Sequence, residues 1–309
     1  MTSLIGELFA TFAAFCYALG SVATTKNART EGGGGSAVLL SVVLTALLSA
    51  GLWVFAGPTL AVTNREILIG IGCFVVAGVL GTILGRVLFF RSIELAGAIE
   101  TGLMRRLIPV FAALLAILVL GEAITLALGL AFLLVFSGVG IVILAAPRRL
   151  DPSSQHGAYS TRDRNAGRVL ALVSAGSYGG SYTMRKFSMN WLPDPLAGAF
   201  IGAVTAMAWY AFAALFNAGY RRQVRELFRR PAFWQAMAAI SISVGQTAQF
   251  VALKFTSVTA VAIIGTVEMF ISAWLAAFVF KTEARPGAGF VVASLLALAG
   301  VTILALSRA

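Results

Sequence analysis

Charge is what this sequence has least of. Only 11% of its 309 residues are Asp, Glu, Lys or Arg, against roughly 25% in a typical soluble domain. The charges present gather between apolar runs of about 20 residues, the length that crosses a bilayer core. That pattern excludes an ordinary soluble chain and specifies an all-α integral membrane protein. Cysteine is limited to Cys16 and Cys73, both inside apolar runs, so no disulfide framework is expected. Histidine occurs once, as His156 in a polar stretch, and no metal-ligand spacing accompanies it. There is no Ser-His-Asp set, no phosphate-cradling glycine loop and no close pair of carboxylates. These absences argue against an enzyme and against a bound cofactor. The opening stretch MTSLIGELFATFAAFCYALGSVATTKNAR has no Lys or Arg ahead of its apolar run, and Lys26 and Arg29 behind it. A signal peptide has the reverse order, so a first transmembrane helix with a translocated N-terminus is expected. The net charge of +11 lacks the aromatic–basic interleaving of a nucleic-acid surface, and no nucleic-acid partner is expected. It reads as basic loops that set orientation in a bilayer.

Ten spans are predicted, at roughly 4–25, 37–57, 67–90, 97–120, 125–146, 167–187, 196–217, 233–254, 257–280 and 287–306. The polar stretch APRRLDPSSQHGAYSTRDRNAGR divides them into two sets of five. The resulting units are 1–146, a basic linker at 147–166, and 167–309. The halves echo each other. CYALGSVATTK at 16–26 resembles SYTMRK and the residues before it at 177–186, and LGEAIT at 120–125 resembles KTEARP at 281–286, both offsets being close to 160 residues. Five is odd, so the second half enters the membrane in the opposite sense. Such an inverted-topology repeat places a binding site between the halves, near the midplane. Counting Lys and Arg by loop puts Arg65, Arg185, Lys186, Lys254 and Arg308 on one side and fifteen on the other. The richer side is expected to be cytoplasmic, with both termini outside, in the cell membrane of a bacterium (its inner membrane).

The stretch RRLIPVFAALLAILVLGEAITLALGLAFLLVFSGVGIVIL at 105–144 resembles the EamA-like branch of the drug/metabolite transporter superfamily. Pro109, Leu120, Gly121, Glu122, Gly129, Gly138 and Gly140 carry the likeness. Residues 252–305 repeat it without the proline, with Lys281-Thr282-Glu283 standing for Leu-Gly-Glu. The resemblance implies a membrane transporter and leaves the substrate open among amino acids, nucleotides, sugars, drugs and other metabolites.

Charges inside the spans are the strongest local signal, because each costs at least a few kcal/mol unless paired or solvated. Arg105 and Arg106 share a helix face with Gly102, Ala113 and Ala116, opposite a leucine face. Glu268 lies near the middle of the ninth span, Arg86 lies in the third, and Glu100 lies one to two turns before the arginine pair. Two readings stand: a permanent Arg–Glu lock between the halves, or arginines that meet an anionic group of the substrate. Glu268, among Ile264, Gly265, Ser272 and Leu275, is also a candidate proton carrier. Ser174, Ser177, Tyr178, Ser181, Tyr182 and Arg185 form a polar stripe on the sixth span, and Ser243, Gln246 and Gln249 form another on the eighth. Small polar residues suit helix packing. Tyr17, Tyr182, Gln246 and Gln249 are too large for that and are expected to line a cavity, with Trp209 as a wall.

The expected function is secondary transport of a small polar, anionic or zwitterionic metabolite, an amino acid or related carboxylate, by alternating access. Protons are the candidate coupling ion, export the candidate direction, and the unit a monomer or homodimer. The alternatives are a multidrug or lipid-head-group carrier and a non-transporting sensor or assembly subunit.

Overall fold

In this computed structural model, residues 2–30, 37–57, 63–145, 161–282 and 286–307 are described. His156, Arg148, Arg149, Glu283, Arg285 and Arg308 lie outside them. Among the described residues every regular element is helical, as lipid requires, because each backbone N–H and C=O must find its partner within its own segment. The helices are α1 (Thr2–Thr30), α2 (Ala37–Ala56), α3 (Asn64–Gly78), α4 (Gly85–Arg105), α5 (Ile108–Leu120), α6 (Leu126–Ala145), α7 (Thr161–Ser188), α8 (Pro195–Phe216), α9 (Ala218–Glu226), α10 (Phe233–Phe255), α11 (Val258–Gly265), α12 (Glu268–Trp274) and α13 (Ala288–Leu306). A π-helical turn, Val79–Leu84, joins α3 to α4, and another, Leu275–Val279, prolongs α12.

Among the described residues, eight helical stretches are long and apolar enough to cross a membrane. Two of the expected spans fall short of that measure. One is α6, whose 20 residues Leu126–Ala145 are apolar almost throughout but count only from Leu126 to Val142 among the fully described residues; the other is α7, which carries Arg162, Arg164, Arg168, Arg185 and Lys186.

No loop separates the third and fourth expected spans. The chain reverses at Gly97, whose φ of 83° and ψ of 161° lie in a region essentially closed to other residues. Ser92 Oγ and Thr101 Oγ1 meet at 2.7 Å across the turn. Nine residues of straight helix would hold them roughly 13 Å apart. A Cβ at Gly97 would touch nothing, so the requirement is purely one of backbone conformation.

The fourth and ninth expected spans are each broken near the middle. Arg106 and Leu107 interrupt the first, between α4 and α5, and Thr266 and Val267 interrupt the second, between α11 and α12. In both, the backbone tightens into i→i+3 bonds: Arg106 N to Leu103 O at 3.1 Å and Leu107 N to Met104 O at 3.0 Å, then Thr266 N to Ile263 O at 3.1 Å and Val267 N to Ile264 O at 3.0 Å. Pro109 explains the first break, since it offers Arg105's carbonyl no N–H. The second occurs without a proline.

The ends of these spans match too. Gly121 (φ 66°) and Lys281 (φ 51°) are both left-handed. The next N–H in each case turns back to the carbonyl six residues earlier, Glu122 to Ala116 at 3.3 Å and Thr282 to Ala276 at 2.8 Å. In this local geometry Gly121 matches Lys281 and Glu122 matches Thr282, so Phe280-Lys281-Thr282 has the backbone shape of Leu-Gly-Glu, one residue earlier than side-by-side reading of the sequence suggests. A left-handed lysine is strained by about 1 kcal/mol. Lys281→Gly is expected to raise stability by about that amount, read as a higher Tm in detergent.

Packing interleaves the two halves. α1 lies along α10, α4 along α7, α6 along α13 and α2 along α8, while α5 meets both α7 and α11.

Candidate functional site

A buried arginine organises the middle of the bundle. Arg185 sits three residues after Tyr182 on α7, so both project from one face, and it is 7% exposed. Gln246 and Gln249 share a face of α10 in the same way. Arg185 Nη1 donates to Gln249 Oε1 at 3.0 Å, and Gln249 Nε2 donates to Tyr182 Oη at 3.1 Å. The Gln246 amide satisfies its neighbours when its nitrogen donates to Tyr17 Oη at 2.8 Å and its oxygen accepts from Arg185 Nη1 and Nη2 at 3.2 and 3.0 Å. Tyr17 Oη then donates to Gln249 Oε1 at 3.4 Å. The guanidinium is thus held by neutral groups and by the faces of Phe250 and Tyr182, at 4.5 and 5.6 Å from the ring centroids. Its Nε finds no acceptor among the described residues.

Arg185 and Gln246 line a cavity of about 80 Å³ together with Ser41, Thr45, Thr82, Arg86, Tyr178 and Phe250. Gly81 makes room for it. A Cβ there would strike Ser181 Oγ at 2.6 Å and come within 3.4 Å of Arg185 Nη2. Arg86, on α4, donates to Tyr210 Oη at 3.5 Å, with Tyr178 and Tyr210 as electrostatic neighbours. Thr82 and Arg86 also belong to a second space of about 240 Å³, walled by Trp209, Tyr210, Tyr220 and Phe90 and edged by Arg91, Glu94 and Gln223. Thr82 and Arg86 thus stand between the cavity and a space at the end of the bundle where Arg91 pairs with Glu94 at 2.6 Å. At that same end Glu100 binds Arg164 and Arg168, the latter at 2.8 Å. Glu100 is thereby committed to α7 and is no counter-ion to the arginine pair.

Arg105 and Arg106 flank the first helix break and do not line the cavity. Arg105 is exposed, its guanidinium 4.8 Å from the Phe89 ring centroid and 5.3 Å from that of Tyr178. Glu268 begins α12 just after the second break. It is an electrostatic neighbour of both arginines, of Tyr17 and of Tyr182, yet no salt bridge joins it to Arg105 or Arg106 among the described residues. The closed lock of the sequence reading is therefore not formed among the described residues, although the three charges are neighbours.

Sequence matching bears on what this arrangement is. The model of the EamA-like transporter family matches residues 4–144. Over those residues the chain is similar to the EamA-like transporter family, part of the drug/metabolite transporter superfamily. No match was found among curated proteins. A solved crystal structure has a similar fold, with a TM-score of 0.66 over 98% of this chain and 96% of the other at 16% identity. An identity that low carries the fold alone.

The Leu-Gly-Glu motif of the EamA-like half has a visible task. Glu122 accepts from Val258 N at 2.7 Å, Thr259 N at 3.2 Å and Thr259 Oγ1 at 2.9 Å. It caps α11, which belongs to the other half, and its charge suits the positive end of that helix. Beside it Lys186 Nζ donates to the carbonyls of Leu253, Lys254 and Thr256, at 2.6, 3.2 and 3.1 Å, at the end of α10. Asp194, fully buried, caps α8 through Leu196 N and Ala197 N and accepts from Trp53 Nε1 at 2.5 Å. This end of the bundle is tied shut, and the Arg91 end holds the second space.

Among the residues expected from sequence, Tyr17, Tyr182, Gln246 and Gln249 gather around Arg185, Arg86 lines the cavity, and Trp209 walls the space beyond. Arg185 itself was counted among the loop cations and placed at the end of the sixth span's polar stripe, but not among the expected binding residues. Its place in the stripe with Tyr178, Ser181 and Tyr182 was the available signal.

Proposed function

We propose that this EamA-like protein is a ten-span secondary transporter that carries a small anionic or zwitterionic metabolite across a cell membrane by alternating access. The observation that carries the reading is Arg185: a buried guanidinium facing a cavity, held only by amides, phenols and ring faces. A charge so placed is costly and is compensated when an anion arrives. The 1–146 and 167–309 units would be inverted repeats. Two features support that. Exchanging α1 with α7, α4 with α10 and α5 with α11 turns the contact of α1 with α10 into that of α7 with α4, and leaves the α5–α11, α2–α8 and α6–α13 contacts as they are. The breaks at Arg106 and Thr266, and the left-handed residues Gly121 and Lys281, are all 160 positions apart. Discontinuous helices near the midplane are a recurring feature of such carriers.

With the arginine-rich end cytoplasmic, the space beyond Arg86 opens inward and the Glu122 end is the closed outer gate. Arg86 and Arg185 would meet the substrate anion, and Tyr17, Tyr182, Gln246 and Gln249 would supply neutral contacts. Arg105, Arg106 and Glu268 would form an adjoining charged group, with Glu268 carrying the coupling proton and Tyr17 and Tyr182 linking it electrostatically to Arg185.

The test is transport by the purified chain in liposomes, with labelled monocarboxylates, dicarboxylates, amino acids and cationic drugs. Saturable movement of one acidic class is the expected result, and folded protein that moves only cationic drugs would overturn the reading. Glu268→Gln is expected to abolish uptake driven by an imposed pH gradient and to spare exchange of substrate for substrate. Equal loss of both would remove the proton role from Glu268.

A further inference from the structure

We infer that the substrate is an organic dianion without an amine: two negative charges, met by Arg86 and Arg185 together. The inference rests on the transporter reading above and narrows its anionic or zwitterionic class.

The cavity is lined by two guanidiniums and no carboxylate. Arg185 has Tyr17, Tyr182 and Tyr178 as electrostatic neighbours, and Arg86 has Tyr178 and Tyr210. Neither takes part in a salt bridge among the described residues. The nearby acids are engaged elsewhere: Glu94 with Arg91 and Glu100 with Arg164 and Arg168. Glu268 faces Arg105 and Arg106. The cavity therefore holds a formal charge of two in a low-dielectric surrounding, where like charges repel and each is costly alone.

A monoanion would leave one guanidinium uncompensated. A dianion neutralises both. A zwitterion fares worse than its parent acid, because its ammonium would be desolvated beside two guanidiniums with no carboxylate to receive it. The two arginines stand on different helices, α4 and α7, with Tyr178 between them as a neighbour of both. A linear dicarboxylate reaching from one to the other and a phosphate monoester held between them share the required chemistry. The neutral remainder of the ligand has room toward Trp209, Tyr210 and Tyr220.

The experiment is calorimetric titration of the purified full chain with succinate, butyrate, aspartate and glycerol 3-phosphate. Succinate differs from butyrate by one charge and from aspartate by one ammonium. Succinate or glycerol 3-phosphate is expected to bind at least tenfold tighter than butyrate, and succinate at least tenfold tighter than aspartate. Which of the two dianions prevails distinguishes the carboxylate from the phosphate source. Arg86→Gln should bring succinate down to the level of butyrate and leave butyrate within about threefold of wild type. Arg86→Lys, which keeps the charge, should retain the preference and serves if the glutamine variant fails to fold. Equal binding of butyrate and succinate, or aspartate binding as tightly as succinate, would overturn the inference. Transport of butyrate or aspartate alongside that result would leave the transporter reading standing. Folded protein that binds neither dianion overturns the inference as well, and failure of transport across all acids would take the broader reading with it.

Discussion

Arg185→Gln is expected to weaken binding of an organic anion by roughly 30-fold or more while the protein still folds. Removing one partner of a buried, hydrogen-bonded charge pair costs about 2–5 kcal/mol, and each 1.4 kcal/mol is tenfold in Kd. The fold should tolerate the change. In the ligand-free protein Arg185 is an uncompensated buried charge, and replacing such a charge with a neutral group relieves desolvation. The substitute amide can still donate toward Gln249 Oε1 or Gln246. Calorimetry gives the affinity and a thermal melt gives the stability. Unchanged affinity together with early melting would make Arg185 a structural post for α7 and α10, with no part in recognition.

Glu122→Ala acts at the other end and on a different property. It removes one carboxylate that accepts from Val258 N, Thr259 N and Thr259 Oγ1 and leaves the first turn of α11 with only its Ser257 cap on Ala260 N. Loss of a cap costs about 1 kcal/mol, and hydrogen bonds to a charged group are worth about 1.5–3 kcal/mol, so a stability loss of about 2–4 kcal/mol is expected. Opening should follow the same bond. Ala260, fully buried one residue beyond Thr259, can be changed to cysteine in a chain whose Cys16 and Cys73 are replaced by alanine. A maleimide that does not cross membranes should label that cysteine several-fold faster once Glu122 is gone. Unaltered labelling would restrict Glu122 to a stabilising role.

Much of the fold could be read from hydropathy, because lipid leaves few options: apolar runs of about 20 residues become helices. The helix breaks were harder. Pro109 announces the first, whereas Thr266 and Val267 carry no such mark, and only their i→i+3 bonds reveal the second. The backbone match to Leu-Gly-Glu falls one residue earlier than the sequence match, because Lys281 occupies a left-handed position that glycine normally marks. The polar residues of the site were visible as residues too large for a packing stripe. Arg185 was hidden by its nearness to the expected end of a span, where a basic residue reads as a loop charge. α7 ends at Ser188, one residue past the expected end of the span, and Arg185 lies buried within it. Arg105 and Arg106 stand at the first helix break, outside the cavity lining, so a wheel drawn through an unbroken helix does not describe their surroundings.

The interleaving of α1 with α10, α4 with α7 and α6 with α13 has a consequence for how the gene product can be divided. Each half covers the other along these helix pairs. Cut between residues 145 and 161 and made as two polypeptides in the same cell, the pieces should find each other and reconstitute the activity. Either piece made alone should be cleared by the cell's proteases.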